Sequence, residues 1–263
     1  MTILLTNDDG ITSPGLDLLA VSLRGKGHRV FVLAPDRNRS GVSHSISFLS
    51  GPIRLKEHGA DTWSCPGLPA DCVITALLGG LPGLEGLPDM VISGINRGAN
   101  IGTDIIYSGT AAAARQAGFW DLPSVALSLV EGDPYYWDMA VSYSAGHVED
   151  FRNLWQADTF VNVNIPNRAC DPSGMERTFP SLRIYHDTLS SYEGPDGRRY
   201  CFFRNGETDT PAESGSDWDA VSRGMVSASA VFIHPVVALD GGLSSGREGR
   251  TRALGIRDAG GGI

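Results

Sequence analysis

The chain has no apolar run long enough to cross a bilayer, no basic segment leading into an apolar one at its start, and little positive charge. Lys and Arg number 21 against 30 Asp and Glu, a formal net charge of -9. The first two absences predict a cytoplasmic protein with no membrane association. The third argues against a nucleic-acid polymer or anionic membrane as partner, since both need basic fields; an anionic small molecule would have to be held by local cations. Cysteine is scarce as well. The four present, Cys65, Cys72, Cys170 and Cys201, have no C-x-x-C spacing for zinc and are too few for a disulfide scaffold, so they are expected to be reduced and mostly structural. With 263 residues, 41% of them hydrophobic, 33 glycines and 15 prolines, one α/β domain is the natural expectation.

What is present begins with ILLTNDDG, a short apolar strand that stops at Asn7-Asp8-Asp9-Gly10. It delivers two adjacent carboxylates to the carboxyl edge of a sheet, where open α/β folds bind their ligands. Side-by-side carboxylates repel unless a cation separates them or one takes up a proton. A hard divalent ion with oxygen ligands is the usual solution, although an Asp capping the next helix would explain the stretch equally well. Ser13-Pro14 then reads as a helix start, with Leu16, Leu19, Ala20 and Leu23 as its buried stripe and Gly25 and Gly27 at its end. His28 to Pro35 follows as a buried parallel strand, completing a β-α-β unit.

The loop Asp36 to Gly41 belongs on the same edge and brings Arg37, Arg39 and Ser40 there. Guanidinium forks suit phosphate, though a solvated loop is the plainer reading of the arginines, and Ser40 offers an oxygen to a metal or a hydrogen bond to an anion. Alternation over Ser43 to Phe48 and Ile53 to Leu55 predicts a hairpin arm or a sheet extension, with His44 an edge or loop histidine. A helix with Asp71 in its first turn carries Cys72 to Leu78. The strand Met90-Val91-Ile92 ends in the glycine-rich loop Ser93 to Asp104, which supplies Asn96 and Arg97. Tyr107 to Thr110 opens an alanine-rich helix to Gly118, and its hydroxyls and N–H groups suit either an anion or an ordinary cap.

Further on, a strand at Ser124 to Leu129, a helix at Met139 to Leu154 and a strand at Phe160 to Pro166 continue the alternation of a doubly wound fold. Strands at Leu182 to Thr188 and Tyr200 to Arg204 predict a small antiparallel C-terminal extension. A helix or turn at Trp218 to Arg223 and a strand at Val226 to Ile233 close the domain, set at residues 1–239. Residues 240–263, mostly Gly, Ser and Arg, predict a flexible tail. Strand ends thus supply Asp8, Asp9, Ser40 and Asn96, oxygen donors only, a set that selects magnesium, manganese or calcium over zinc or copper. Metal-assisted chemistry on a phosphorylated small molecule is where the residues themselves lead.

The stretches ILLTNDDG, APDRNRSG followed by SHSIS, PADCV, SGINRGANIGTDIIYSGTAAAA and LPSVALS, in this order and spacing, resemble the SurE family of survival-protein nucleotidases. The resemblance is strong from Met1 to about Pro166 and looser to about Pro235. It implies a Rossmann-like, mostly parallel sheet with a swapped or extended C-terminal part, and homodimers or homotetramers. It also implies a one-metal phosphatase for nucleoside 5'-monophosphates, sometimes for 3'-nucleotides and polyphosphate. The family's metal ligands fall on Asp8, Asp9, Ser40 and Asn96, with Asp8 or Asp9 orienting the attacking water. Its Ser-Gly-Thr falls on Ser108, Gly109 and Thr110, which with Asn96 would bind the phosphate. Three positions depart from the family pattern: Gln116-Ala117 for the usual Glu-Gly, Leu68 for a small hydroxyl residue, and Ser227 to Val231 for Ser-Ile-Thr-Pro-Leu.

Two other classes compete. A metal-dependent nucleotide or phosphate sensor would keep the same ligands without turnover, and the missing Glu favours it. A nucleoside hydrolase also places acids after its first strand but wants a longer acidic cluster. A haloacid-dehalogenase-type phosphatase is disfavoured, because its nucleophile needs an Asp-x-Asp pattern.

Overall fold

The computed structural model describes residues 1–204, 206–211, 213–235, 238–239 and 242–243. Its centre is a nine-stranded sheet whose core strands are β1 (Thr2–Thr6), β2 (Arg29–Pro35), β4 (Thr62–Cys65), β5 (Met90–Arg97), β6 (Ser124–Leu129) and β7 (Thr159–Ile165). These lie side by side in the order β4-β2-β1-β5-β6-β7, all parallel. This is the doubly wound order, which opens a crevice at the carboxyl ends of β1 and β5, where successive connections leave for opposite faces. Edge strands complete the sheet: β3 (Lys56–Gly59) runs antiparallel to β4, while β13 (Val226–Phe232) runs antiparallel to β7 and parallel to β8 (Met175–Arg177).

Alternation along β1 divides the core between the faces. Ile3 and Leu5 pack with α1 (Pro14–Gly25), α4 (Trp137–Gly146) and α5 (Val148–Leu154). Leu4 faces the other layer, built on α2 (Pro69–Thr75) and α3 (Gly109–Gly118). There Cys65 and Cys72 meet, their sulfurs 3.4 Å apart and both fully buried. The C-terminal extension comprises β9 (Ile184–Tyr185) with β12 (Thr208–Asp209), the hairpin of β10 (Thr188–Glu193) and β11 (Arg199–Arg204), and α6 (Asp217–Ser222). The expected α/β class and small antiparallel addition are both present.

Some expected elements differ. The segment 43–55 is not a hairpin arm: it runs irregularly with a single 3-10 turn at Phe48–Ser50, and the antiparallel pair is β3 with β4 instead. Here alternation reflects tethering, since Asp71 takes the backbone N–H and hydroxyl of Ser47. The helix expected over 139–154 is two helices divided at Gly146-His147, where the His147 imidazole bonds back to the Tyr143 carbonyl. The strand expected to stop at Ile92 continues to Arg97 through an irregular register between Ser93 and Asn96, which swings Asn96 and Arg97 toward the crevice. Most of the expected tail, 240–241 and 244–263, lies outside the described residues; Gly242–Leu243 pairs with Ala238–Leu239.

Candidate active site

The acidic loop is locked before any side chain reaches toward a ligand. Asn7 bridges it, donating to the Gly10 carbonyl at 3.0 Å and accepting from the Gly10 N–H at 3.1 Å. Gly10 has φ +97, and a Cβ there would lie 2.8 Å from the Arg37 carbonyl carbon, so only glycine lets the loops after β1 and β2 touch. The Arg39 N–H donates to the Asp8 carbonyl at 2.7 Å and joins them further.

Asp8 is buried, 3% exposed, against the start of α3. The Thr110 hydroxyl donates to its carboxylate at 2.5 Å, and the Thr110 N–H supports it too. A Cβ on Gly109 would lie 2.8 Å from the Asp8 Cβ and 2.9 Å from Oδ2, so glycine is what allows this approach. Burial pushes the Asp8 carboxyl up to about 6; the Thr110 bond opposes that, and the neighbouring Asp9 charge adds to it. Asp9 is raised as well, by burial, against the pull of the Arg97 N–H, which donates to it at 3.0 Å. Asn38 reaches Asp9 at 3.5 Å and accepts from the Ser40 N–H at 2.7 Å, drawing Ser40 into the same cluster. The Asn96 amide donates to the Gly98 carbonyl at 2.8 Å, which leaves its own oxygen for another partner. Among the described residues no group of three or more His, Cys, Asp or Glu side chains is placed to hold a metal. Two carboxylates with raised proton affinity beside neutral oxygens have the chemistry that suits a hard cation.

Residues 3–187 match the family described as Survival protein SurE. The chain belongs to the SurE family. It is 39% identical over 237 residues to the 5'-nucleotidase SurE of Xanthomonas euvesicatoria, covering 89% of this chain and 90% of the relative. The same-named protein of Xanthomonas campestris is 38% identical over the same shares. The crystal structure of the SurE protein from Aquifex aeolicus superposes with a TM-score of 0.77 at 35% identity, covering 89% of this chain and 94% of that one.

Within this SurE chain, Ser108 is the helix cap, its hydroxyl accepting from the Ala111 N–H at 2.9 Å, whereas Thr110 is turned onto Asp8. Two of the arginines expected on this edge, Arg39 after β2 and Arg97 at the end of β5, have their guanidiniums engaged within the protein. Arg39 holds the Pro66 carbonyl at 2.7 Å and Asp36 at 3.4 Å. Arg97 stacks its guanidinium over Tyr135, 4.8 Å from the ring centroid. Gln116, where the family pattern has Glu, bonds His44 at 2.8 Å, and burial lowers that imidazole's proton affinity. Leu68 lacks the hydroxyl that would accept from the first turn of α2, but its own N–H still donates to Asp71 at 2.8 Å, the half of a capping box that needs no hydroxyl.

Sequence reasoning missed a buried polar network beneath the loop that follows β5. Asn100 donates from its backbone to Asn164 at 2.8 Å and from its side chain to Ser128 at 2.7 Å, while its carbonyl accepts from Asn162 and Asn164. The signal was present in FVNVNI: two asparagines on a strand buried on both faces must find partners.

Proposed function

We propose that this chain is a divalent-metal-dependent phosphomonoesterase that converts nucleoside 5'-monophosphates to nucleoside and inorganic phosphate. The observation that carries the reading is the pair at the switch point of the sheet, a buried Asp8 with the start of α3 packed onto it and a half-buried Asp9 beside it. The name borne by the Xanthomonas relatives, 5'-nucleotidase, points to the same substrate class. Asp8, Asp9, Ser40 and Asn96 would hold one magnesium or manganese ion; calcium suits the same oxygens. Such an ion neutralises phosphoryl charge and makes water a better nucleophile.

The protein's own groups divide the remaining work. Thr110 fixes the Asp8 carboxylate, keeping it ionised against its burial. Asp9, held by the Arg97 N–H, is the group that orients the attacking water and takes its proton. Asn96, Ser108, Gly109 and Thr110 line the place of the phosphate. A cleft of about 380 Å³ has Glu131, Asn167, Arg168 and Trp218 in its wall, and Glu131 also accepts the Ala99 N–H of the loop after β5, so this cleft is the proposed place of the nucleoside.

Residues 1–239 act as one such domain. The apolar hairpin β10–β11 is the surface on which copies of the chain join as a homodimer or homotetramer. Among the described residues no helix is long and apolar enough to cross a membrane; a cytoplasmic location is part of the proposal.

The deciding experiment measures inorganic phosphate and free base from a panel of nucleoside monophosphates, with manganese or magnesium and with chelator. Metal-dependent phosphate release is expected. Release of free base would make the chain a nucleoside hydrolase, and metal-dependent nucleotide binding with neither product would make it a sensor.

A further inference from the structure

The loop that joins Asn96 to Ser108, Gly109 and Thr110 is gripped from outside the parallel core. Asp217, fully buried at the start of α6, accepts the Gly102 N–H at 2.8 Å with one oxygen and the Ser181 N–H and hydroxyl at 2.9 and 2.5 Å with the other. Gly102 has φ +54, and a Cβ there would lie 2.0 Å from the Ser181 carbonyl oxygen, so the two segments are in backbone contact. One step along, the Arg183 N–H donates to the Thr103 hydroxyl at 3.1 Å and its guanidinium meets Asp104 at 2.7 Å. Tyr185 donates to the other oxygen of Asp104. Asp104 in turn closes the next turn, its carbonyl accepting the N–H groups of Tyr107 and Ser108. Nothing in the parallel core requires these contacts: Asn100 already ties the base of the loop to β6 and β7.

We infer that Asp217, Ser181, Arg183 and Tyr185 form a clasp of positioning residues, through which the C-terminal extension sets the loop between the metal ligand Asn96 and the helix start that seats Asp8. None of the four touches the proposed ligand set, so the clasp acts through Gly102, Thr103 and Asp104. Outer partners of this kind typically change metal affinity or activity 10- to 100-fold when removed. The inference rests on the metal-site reading above but not on the identity of the substrate.

The test is manganese binding by titration calorimetry on Arg183→Ala and Asp217→Ala, alongside melting temperature and turnover of a nucleoside monophosphate. Arg183 is partly exposed, so its variant should fold even if loss of the buried Asp217 does not allow it. Manganese should bind about tenfold more weakly to Arg183→Ala, with kcat falling in parallel and Arg183→Lys restoring part of both. A lowered melting temperature with manganese affinity within about twofold of wild type would make the clasp merely structural and overturn the inference. If wild type binds manganese yet releases no phosphate, the phosphatase reading fails while weakened manganese binding in Arg183→Ala still upholds the clasp.

Discussion

The parallel core and the C-terminal hairpin are built on opposite terms. Every residue of β6 and β7 is buried, whereas the strands of the hairpin, β10 and β11, are exposed at all but one position. The exposed side chains include Leu189 at 56%, Phe202 at 55% and Phe203 at 82%. The core is covered by its own helices and tolerates buried asparagines because the side-chain amides of Asn100, Asn162 and Asn164 each donate to a buried oxygen. An isolated two-stranded hairpin is marginal in water, and one carrying phenylalanines in the open is a surface meant to be covered. The proposed chemistry sits on the self-sufficient region and the proposed assembly surface on the dependent one.

The largest test of that division is at the carboxylates. Asp8→Asn and Asp9→Asn should each cut phosphate release by roughly a hundredfold or more, with circular dichroism and assembly unchanged. Wild-type activity in both would remove them from the site. Next comes the contrast within one turn. Thr110→Val, which leaves Asp8 without its hydroxyl donor, should lower kcat by roughly tenfold or more. Ser108→Ala removes a helix cap and should cost about 1 kcal/mol of stability, read by denaturant titration, with a smaller effect on kcat. Equal losses of kcat would mean that both hydroxyls face the phosphate.

At the dependent region the expected change is in assembly. Phe203→Ser combined with Leu189→Ser should shift sedimentation toward smaller species while the unfolding midpoint of the dissociated chain stays within a few degrees of wild type, about what an exposed substitution allows. An unchanged sedimentation profile would clear the hairpin of an interface role. A last test is one of pH on the metal-free protein. Because the folded Asp8 carboxyl lies near 6 and the ordinary value is 3.8, the folded state binds the proton more tightly. The stability this contributes is complete below about 3.8 and lost as pH rises through 6, up to about 3 kcal/mol. Asp8→Asn should therefore be the more stable protein at neutral pH in chelator, and its advantage should vanish in acid. A constant difference across that range would assign the gain to something other than Asp8 ionisation.

How much of this was legible in the sequence follows from range. Strand ends are local features, so Asp8, Asp9, Ser40 and Asn96 could be placed on one edge from apolar runs and the glycines after them. Thr110 was legible as a helix start but not as the partner of Asp8, 102 residues away, because no local pattern encodes which carboxylate meets a helix N-terminus. The clasp was invisible for the same reason: Gly102 and Asp217 are 115 residues apart. Misread elements failed locally. Ser43 to Phe48 alternates like a strand, yet the N–H groups of Ser43 and Ser47 go to the Tyr107 carbonyl and to Asp71 rather than to a ladder. Gly146 and His147 break a helix whose apolar period continues across them.

The four thiols divide along the same line, and that gives the molecule a built-in clock. Cys170 and Cys201, the latter on β11, are exposed and should be alkylated at once, while Cys65 and Cys72 sit sulfur to sulfur beneath α2. A reagent added to the native protein should consume two thiols in a fast phase. It then waits for the layer between α2 and β4 to open before reaching the other pair. The slow phase therefore times the opening of the helix layer behind Asp8, molecule by molecule, without any engineered label.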